Sequence, residues 1–264
     1  MSARPTPLSP SAVVSALRAA GCVFAEDEAE LILANARTPE GLAAMVQRRV
    51  DGLPLEHVLG WAEFCGLRVA VDAGVFVPRR RTEFLVRRAV ALAPPHPVVV
   101  DLCCGSGALG AALADALDPA ELHAADIEPA AVRCARRNIA RWGGVAHEGD
   151  LYAALPAALR GRVDLLVANT PYVPTDSVAL LPAEARLHEP LVALDGGADG
   201  LDVQRRVAAG ARDWLAPGGH LLVEASEAQA PVAAAVFEAS GLAAQVLSCD
   251  DLYATVVIGT RPAG

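Results

Sequence analysis

The stretch Val167-Ala-Asn-Thr-Pro-Tyr-Val-Pro174 follows the apolar run Val163-Asp164-Leu165-Leu166 and carries the residues with the most specific chemistry in the chain. Prolines stop a strand by withholding the N–H that its ladder needs. A strand followed by a stiff loop therefore explains the prolines, but it does not require Asn169 or Tyr172. A planar NH2 group conjugated to a carbonyl or an aromatic ring is a poor nucleophile, because its nitrogen lone pair is delocalised. The Asn169 side-chain oxygen and the Thr170 backbone carbonyl are two acceptors that can hold the two N–H bonds of such a group. They would orient it and stabilise positive charge developing on nitrogen. Tyr172 offers a face for stacking, and Pro171 stiffens the turn. Such chemistry needs neither a metal nor a covalent nucleophile, and none is expected.

A second constellation is Asp101-Leu-Cys-Cys-Gly-Ser-Gly-Ala-Leu-Gly110, in which Gly105, Gly107 and Gly110 match GxGxxG after an apolar run. Two cofactors compete for this pattern. A dinucleotide would set its pyrophosphate against the following helix N-terminus, where the Asp101 carboxylate would repel it. S-adenosylmethionine has no phosphate and carries an ammonium and a sulfonium, so an acid at that place favours it. Downstream, Asp126-Ile127-Glu128 ends the next apolar segment, and a carboxylate there can bind the ribose hydroxyls of either cofactor. Cys103 and Cys104 read as small fillers that let the backbone approach a ligand; a redox pair is the alternative.

These two segments need a scaffold that brings strand ends together. After Pro97 the chain alternates strand and helix. Strands are expected at Pro97–Leu102, Glu121–Ile127, Val145–Glu148, Arg162–Asn169, His220–Ala225, Ala243–Ser248 and Tyr253–Gly259. Helices are expected at Ser106–Leu117, Pro129–Trp142, Leu201–Leu215 and Gln229–Ser240. Alternation of this kind implies an α/β fold with a mostly parallel sheet covered on both faces. Its ligands sit at the carboxyl ends of the strands. Before it, Ser11–Ala20, Glu26–Ala36 and Gly41–Val50 have helical spacing, and Phe64–Val77 reads as a hairpin around Asp72-Ala73-Gly74.

Composition narrows the class. The chain has 264 residues, a net charge of −9 and 53% hydrophobic residues, and its basic residues are all arginine. No apolar run approaches the roughly 18–20 residues of a membrane span, and Met1–Pro10 has no signal-peptide core, so a cytoplasmic protein without membrane attachment is expected. The acidic balance argues against non-specific nucleic-acid binding. The six cysteines show no zinc-type spacing. With no coiled-coil pattern, a monomer is expected.

Five blocks in order, PLEHVLGWAEFCGLRV, VFVPRRRTEFLVRRAV, DLCCGSGALG, VANTPYVP and EPLVALDGGADGL, resemble the protein-(glutamine-N5) methyltransferases of the HemK/PrmC type. The resemblance implies a class I S-adenosylmethionine-dependent methyltransferase domain, Rossmann-like, with a seven-stranded sheet whose last strand is antiparallel. It also implies a small N-terminal helical domain that engages a protein substrate, a peptide chain release factor carrying a Gly-Gly-Gln loop. The expected organisation is a helical domain at 1–62, a β-hairpin linker at 63–77 and the methyltransferase domain at 78–264. By position, Cys103, Cys104, Gly105, Ser106 and Gly107 would line the methionine moiety of the cofactor. Asp126 would bind the ribose, Asp150 and Leu151 would lie near the adenine, and Asn169 to Tyr172 would hold the glutamine amide. Asp101 and Ile127 complete the expected cofactor set. Three departures stand out: Asn-Thr-Pro-Tyr for the usual Asn-Pro-Pro-Tyr, Pro78-Arg-Arg-Arg-Thr-Glu83 for the usual Pro-Arg-Pro-Glu-Thr-Glu, and the two cysteines. Arg80 and Arg81 add positive charge beside the crevice and open the alternative of a different, acidic target. Alternatives are an adenine-N6 methyltransferase, an enzyme acting on another protein or small-molecule amide, and a cofactor-binding module without activity.

Overall fold

The computed structural model describes residues 8–263; the start of the helical segment, Met1–Pro7, lies outside them. Four helices open the described chain: α1 (Pro10–Ala19), α2 (Ala25–Asn35), α3 (Pro39–Val50) and the short α4 (Leu55–Leu59). Local chemistry sets two of the starts. The Ser9 hydroxyl accepts from the Ala12 N–H at 3.2 Å and the Thr38 hydroxyl from the Gly41 N–H at 3.0 Å, each satisfying a donor that the first turn leaves free. Val13, Leu17, Ile32, Leu42 and Val46 then close a core of their own.

Next come β1 (Trp61–Phe64) and β2 (Leu67–Ala70), an antiparallel pair. The hairpin turns at Cys65-Gly66, both left-handed at φ 50° and 75°, the geometry of a two-residue hairpin loop. This corrects the expected turn at Asp72-Ala73-Gly74. That triplet makes a separate turn, with Val75 N–H donating to the Asp72 carbonyl at 3.1 Å, and leads the chain toward the sheet.

The main sheet holds β3 (Val98–Leu102), β4 (Glu121–Asp126), β5 (Val145–Glu148), β6 (Val163–Ala168), β7 (Leu215–Ala225), β8 (Ala243–Cys249) and β9 (Ala254–Thr260), in the order β5-β4-β3-β6-β7-β9-β8. The first five are mutually parallel, and β9 runs antiparallel to both its neighbours. All five residues of β3 are buried, as apolar strands covered on both faces must be. Helices α5 (Glu83–Leu92), α6 (Ala108–Ala116) and α7 (Pro129–Ile139) pack on one face through Leu85, Leu113, Val132 and Ile139. On the other face lie α9 (Asp202–Trp214) and α10 (Ala230–Ala239), through Val207, Trp214 and Phe237. The remaining helix, α8 (Ala183–His188), belongs to the long connection between β6 and α9. No helix among the described residues is long and apolar enough to cross a membrane.

Strand order places the reversal of winding between β3 and β6. The connections move outward from β3 to β5, then restart at β6 on the opposite side. Loops leaving β3 and β6 therefore diverge and leave a crevice at their carboxyl ends. The glycine loop and the Asn-Thr-Pro-Tyr turn are those two loops.

Candidate functional site

The loop after β3 is shaped by backbone that side chains rarely tolerate. Cys103, Gly105 and Gly107 have φ of 53°, 53° and 76°, so the chain coils tightly before α6 begins. A Cβ at Gly107 would stand 2.9 Å from the Ala135 Cβ of α7, so only glycine lets α6 pack there. At Gly105 the nearest neighbour of such a Cβ would be Phe76, at 3.9 Å, which leaves that backbone open to a ligand. Asn138 of α7 braces the loop: its Nδ2 donates to the Ser106 carbonyl and to the Ala70 carbonyl, both at 2.8 Å, and its Oδ1 accepts from the Ala70 N–H at 2.9 Å. This tie between hairpin and glycine loop has no motif in the sequence to announce it.

Asp126 ends β4 with both carboxylate oxygens engaged by backbone. Oδ2 accepts from Gly105 N–H at 2.8 Å and Oδ1 from Glu128 N–H at 2.9 Å. Burial raises its pKa, and the backbone N–H groups oppose the shift. Asp126, Ile127, Glu128, Asp150 and Leu151 face the same cavity as Cys103, Cys104, Gly105 and Ser106. Arg206 of α9 joins them, its Nη2 2.6 Å from Asp150 Oδ2. The cavity has a volume of about 580 Å3, in the range of small-molecule sites.

Asp101 and Gly107 do not line it, which corrects the reading of Asp101 as an acid beside the ligand. The pleat turns Asp101 toward α6, where Oδ2 accepts from the Gly110 N–H at 2.9 Å. Its Oδ1 is buried without a partner, and burial pushes its pKa up to about 7. Three other carboxylates, Asp126, Glu128 and Asp150, stand on the wall of the cavity, the last paired with Arg206. The thiols of Cys103 and Cys104 are pushed up by burial and by the carboxylates of Asp101 and Asp126. A thiol held protonated is a weak nucleophile, which favours the reading of the pair as small fillers.

On the other side of the crevice stand Asn169, Thr170, Pro171 and Tyr172. Asn169 Oδ1 and Thr170 Oγ1 are buried and have no hydrogen-bond partner in the protein. Buried polar atoms are ordinarily paired, so these two stand out as exceptions on residues that line the cavity. Tyr172 is held firmly. Its hydroxyl donates to Glu224 Oε1 at 3.0 Å and accepts from Arg81 Nη2, while its carbonyl accepts from Gln229 Nε2 at 2.9 Å. Glu224, buried at the end of β7, also accepts from Arg81 Nε at 2.9 Å and from the Thr82 hydroxyl at 2.6 Å. Burial and the Glu224 charge push the Tyr172 phenol up to about 12.

The arginine-rich segment behaves differently from its composition. Arg79 grips Glu189 through two contacts of 2.7 and 2.6 Å, and Glu189 Oε1 also accepts from the Val77 N–H at 3.2 Å. Arg81 is spent on Glu224. Of the two additions, only Arg80 faces solvent without a carboxylate partner among the described residues. The expected attraction of an acidic target by Arg80 and Arg81 together therefore loses half of its charge.

Residues 66–189 match the family described as Methyltransferase small domain. The chain is 40% identical over 208 residues to the release factor glutamine methyltransferase of Geobacter sulfurreducens, covering 77% of this chain and 72% of that protein. With the protein of the same name from Streptomyces coelicolor it shares 40% over 189 residues, or 70% of this chain and 67% of the other. Among solved structures it superimposes on a methyltransferase from Pyrococcus furiosus with a TM-score of 0.57 at 16% identity, covering 75% of this chain and 90% of that one. This last likeness bears on the fold alone.

Proposed function

The chain belongs to the release factor glutamine methyltransferase family, and from that premise we propose that it methylates the side-chain amide nitrogen of a glutamine in a protein. The substrate is a peptide chain release factor, through its Gly-Gly-Gln loop. The observation that carries this reading is Asn169 Oδ1, a buried acceptor without a partner on a residue that lines the β3–β6 crevice.

S-adenosylmethionine fits the residues present. The open backbone at Gly105 and the carboxylate of Asp126, preset by two backbone N–H groups, suit the methionine end and the ribose. Asp150 and Leu151 extend the wall where the adenine would lie. The group would supply an electrophilic methyl on a sulfonium sulfur, with the S–C bonding pair left on the sulfur. The amide nitrogen would give its lone pair to the methyl and lose one proton to solvent. Everything else falls to the protein. Asn169 Oδ1 and the Thr170 carbonyl accept the two amide N–H bonds, point the nitrogen, and stabilise its growing positive charge. Tyr172 forms a wall against the planar amide. Its phenol stays protonated at neutral pH, so it serves as a surface and not as a base.

A glutamine flanked by glycines suits a narrow crevice, because its neighbours add no side chains and permit a tight backbone path. Contacts remote from the glutamine, made by the N-terminal helices, would supply much of the binding. The test is transfer of labelled methyl from S-adenosylmethionine to a purified release factor, with adenine-containing DNA assayed in parallel. Label on the release factor, lost when its loop glutamine is replaced, supports the reading. Label on DNA alone overturns it.

A further inference from the structure

Asn169 to Tyr172 lie beyond the end of β6, in neither strand nor helix, so other parts of the chain must hold them. The glycine-rich segment between α8 and α9 does part of this. Val173 N–H donates to the Leu194 carbonyl at 3.1 Å, Gly196 N–H to the Val173 carbonyl at 2.9 Å, and Thr175 N–H to the Gly197 carbonyl at 3.0 Å. A Cβ at Gly196 would stand 2.6 Å from the Pro171 carbonyl oxygen, and one at Gly200 would stand 2.3 Å from that of Tyr172. Only glycine lets the two backbones approach so closely.

One side chain joins them at that approach. Gln229, half-buried just before α10, donates through Nε2 to the Tyr172 carbonyl at 2.9 Å and to the Asp199 carbonyl at 3.0 Å. Its Oε1 accepts from the Ser226 hydroxyl at 2.7 Å. The orientation of the amide follows from the partners, because two carbonyl oxygens can only accept and must face the NH2 group. Both donors are needed, and neither a carboxylate nor an apolar chain of the same length supplies them. Gln229 does not itself line the cavity, so whatever it contributes passes through the Tyr172 carbonyl.

We propose that Gln229 is a positioning residue for methyl transfer, pinning the turn that presents Asn169 Oδ1 and the Thr170 carbonyl to the glutamine amide. The inference rests on the glutamine-methylation reading above. Its effect falls on the alignment of the amide nitrogen with the methyl, where a displacement of about 1 Å can cost on the order of a hundredfold in rate. Binding of S-adenosylmethionine draws on the glycine loop and Asp126, across the crevice, and changes little.

The test follows methyl transfer to a purified release factor by Gln229→Glu and Gln229→Met, both close to glutamine in size. At pH 8 each should lower kcat about tenfold or more, with KM for the release factor and S-adenosylmethionine affinity within about threefold of wild type. The introduced carboxylate, when ionised, offers no donor to the two carbonyls; once protonated it donates one hydrogen bond, which raises its pKa. The rate of Gln229→Glu relative to wild type should therefore climb about threefold or more from pH 8 to pH 5.5, while Gln229→Met stays slow throughout. Neither neighbour titrates in that range, since the Tyr172 phenol is pushed up to about 12 and Arg205 holds the Asp199 carboxyl down at about 2. A ratio flat with pH, an unchanged kcat, or a loss confined to cofactor affinity would overturn the positioning role while leaving the glutamine chemistry intact. A wild-type enzyme that leaves the release factor unmodified would instead refute the reading of the substrate, and the positioning role with it.

Discussion

Tyr172 and Glu224 are joined across the carboxyl ends of β6 and β7: the phenol donates to Glu224 Oε1 at 3.0 Å, and the same oxygen accepts from Arg81 Nε at 2.9 Å. The tyrosine is thus fixed by a buried carboxylate that is itself neutralised by an arginine. Because the phenol only anchors the ring, Tyr172→Phe should keep transfer within about fivefold of wild type, the scale of one lost hydrogen bond. Tyr172→Ala should cost more, since the stacking face goes with the ring. Single-turnover rates decide between these. Abolition of transfer by Tyr172→Phe would mean that the phenol handles a proton.

Cofactor affinity should depend on Asp126. Asp126→Ala removes a carboxylate held by two backbone N–H groups and should weaken S-adenosylmethionine binding by about 1.5–3 kcal/mol, as loss of a charged hydrogen-bonding partner does. Titration calorimetry measures this directly. Binding of NAD in place of S-adenosylmethionine would contradict the assignment.

The departure at Thr170 should be nearly silent. The proposed role belongs to its carbonyl, so Thr170→Pro should keep methyl transfer within a few fold. It should also remove a buried hydroxyl that has no partner. A loss of activity approaching that of an Asn169 variant would place the Thr170 side chain in the chemistry.

Asp101 gives the fold a pH dependence of definite sign. Burial holds its native pKa near 7, against about 4 for an unfolded aspartate. Between these values the folded state binds more protons than the unfolded one, so stability falls as pH rises. At about 1.4 kcal/mol per pH unit the contribution is at most about 4 kcal/mol. Denaturant melts at pH 4.5 and 7.5 should show Asp101→Asn gaining on wild type at the higher pH. An unchanged difference would show that Asp101 ionises as an ordinary carboxylate.

What the sequence made legible was what lies close together along it. The order of strands and helices follows from apolar runs and their spacing, and Asn169 to Tyr172 sit in one turn, so their shared cavity could be foreseen. Cys103 to Ser106 and Asp126 were likewise placed by the ends of their strands. The facing of Asp101 was not legible, because it depends on which side of the pleat meets α6. Nor was the fate of the arginines. Arg79 and Arg81 find Glu189 and Glu224, 110 and 143 residues away, and only the folded topology brings such partners together. The hairpin turn was missed because its first residue, Cys65, is not a type that ordinarily adopts a positive φ.

The most direct test of glutamine-amide methylation is tandem mass spectrometry of a release factor incubated with S-adenosylmethionine and either wild-type enzyme or Asn169→Ala. The account predicts one added methyl on the side-chain amide of the Gly-Gly-Gln glutamine with wild type. With Asn169→Ala the rate should fall on the order of a hundredfold or more, the cost of losing a group that stabilises charge in the transition state, at nearly unchanged cofactor affinity. A methyl on any other atom, or an Asn169→Ala enzyme as fast as wild type, would contradict it.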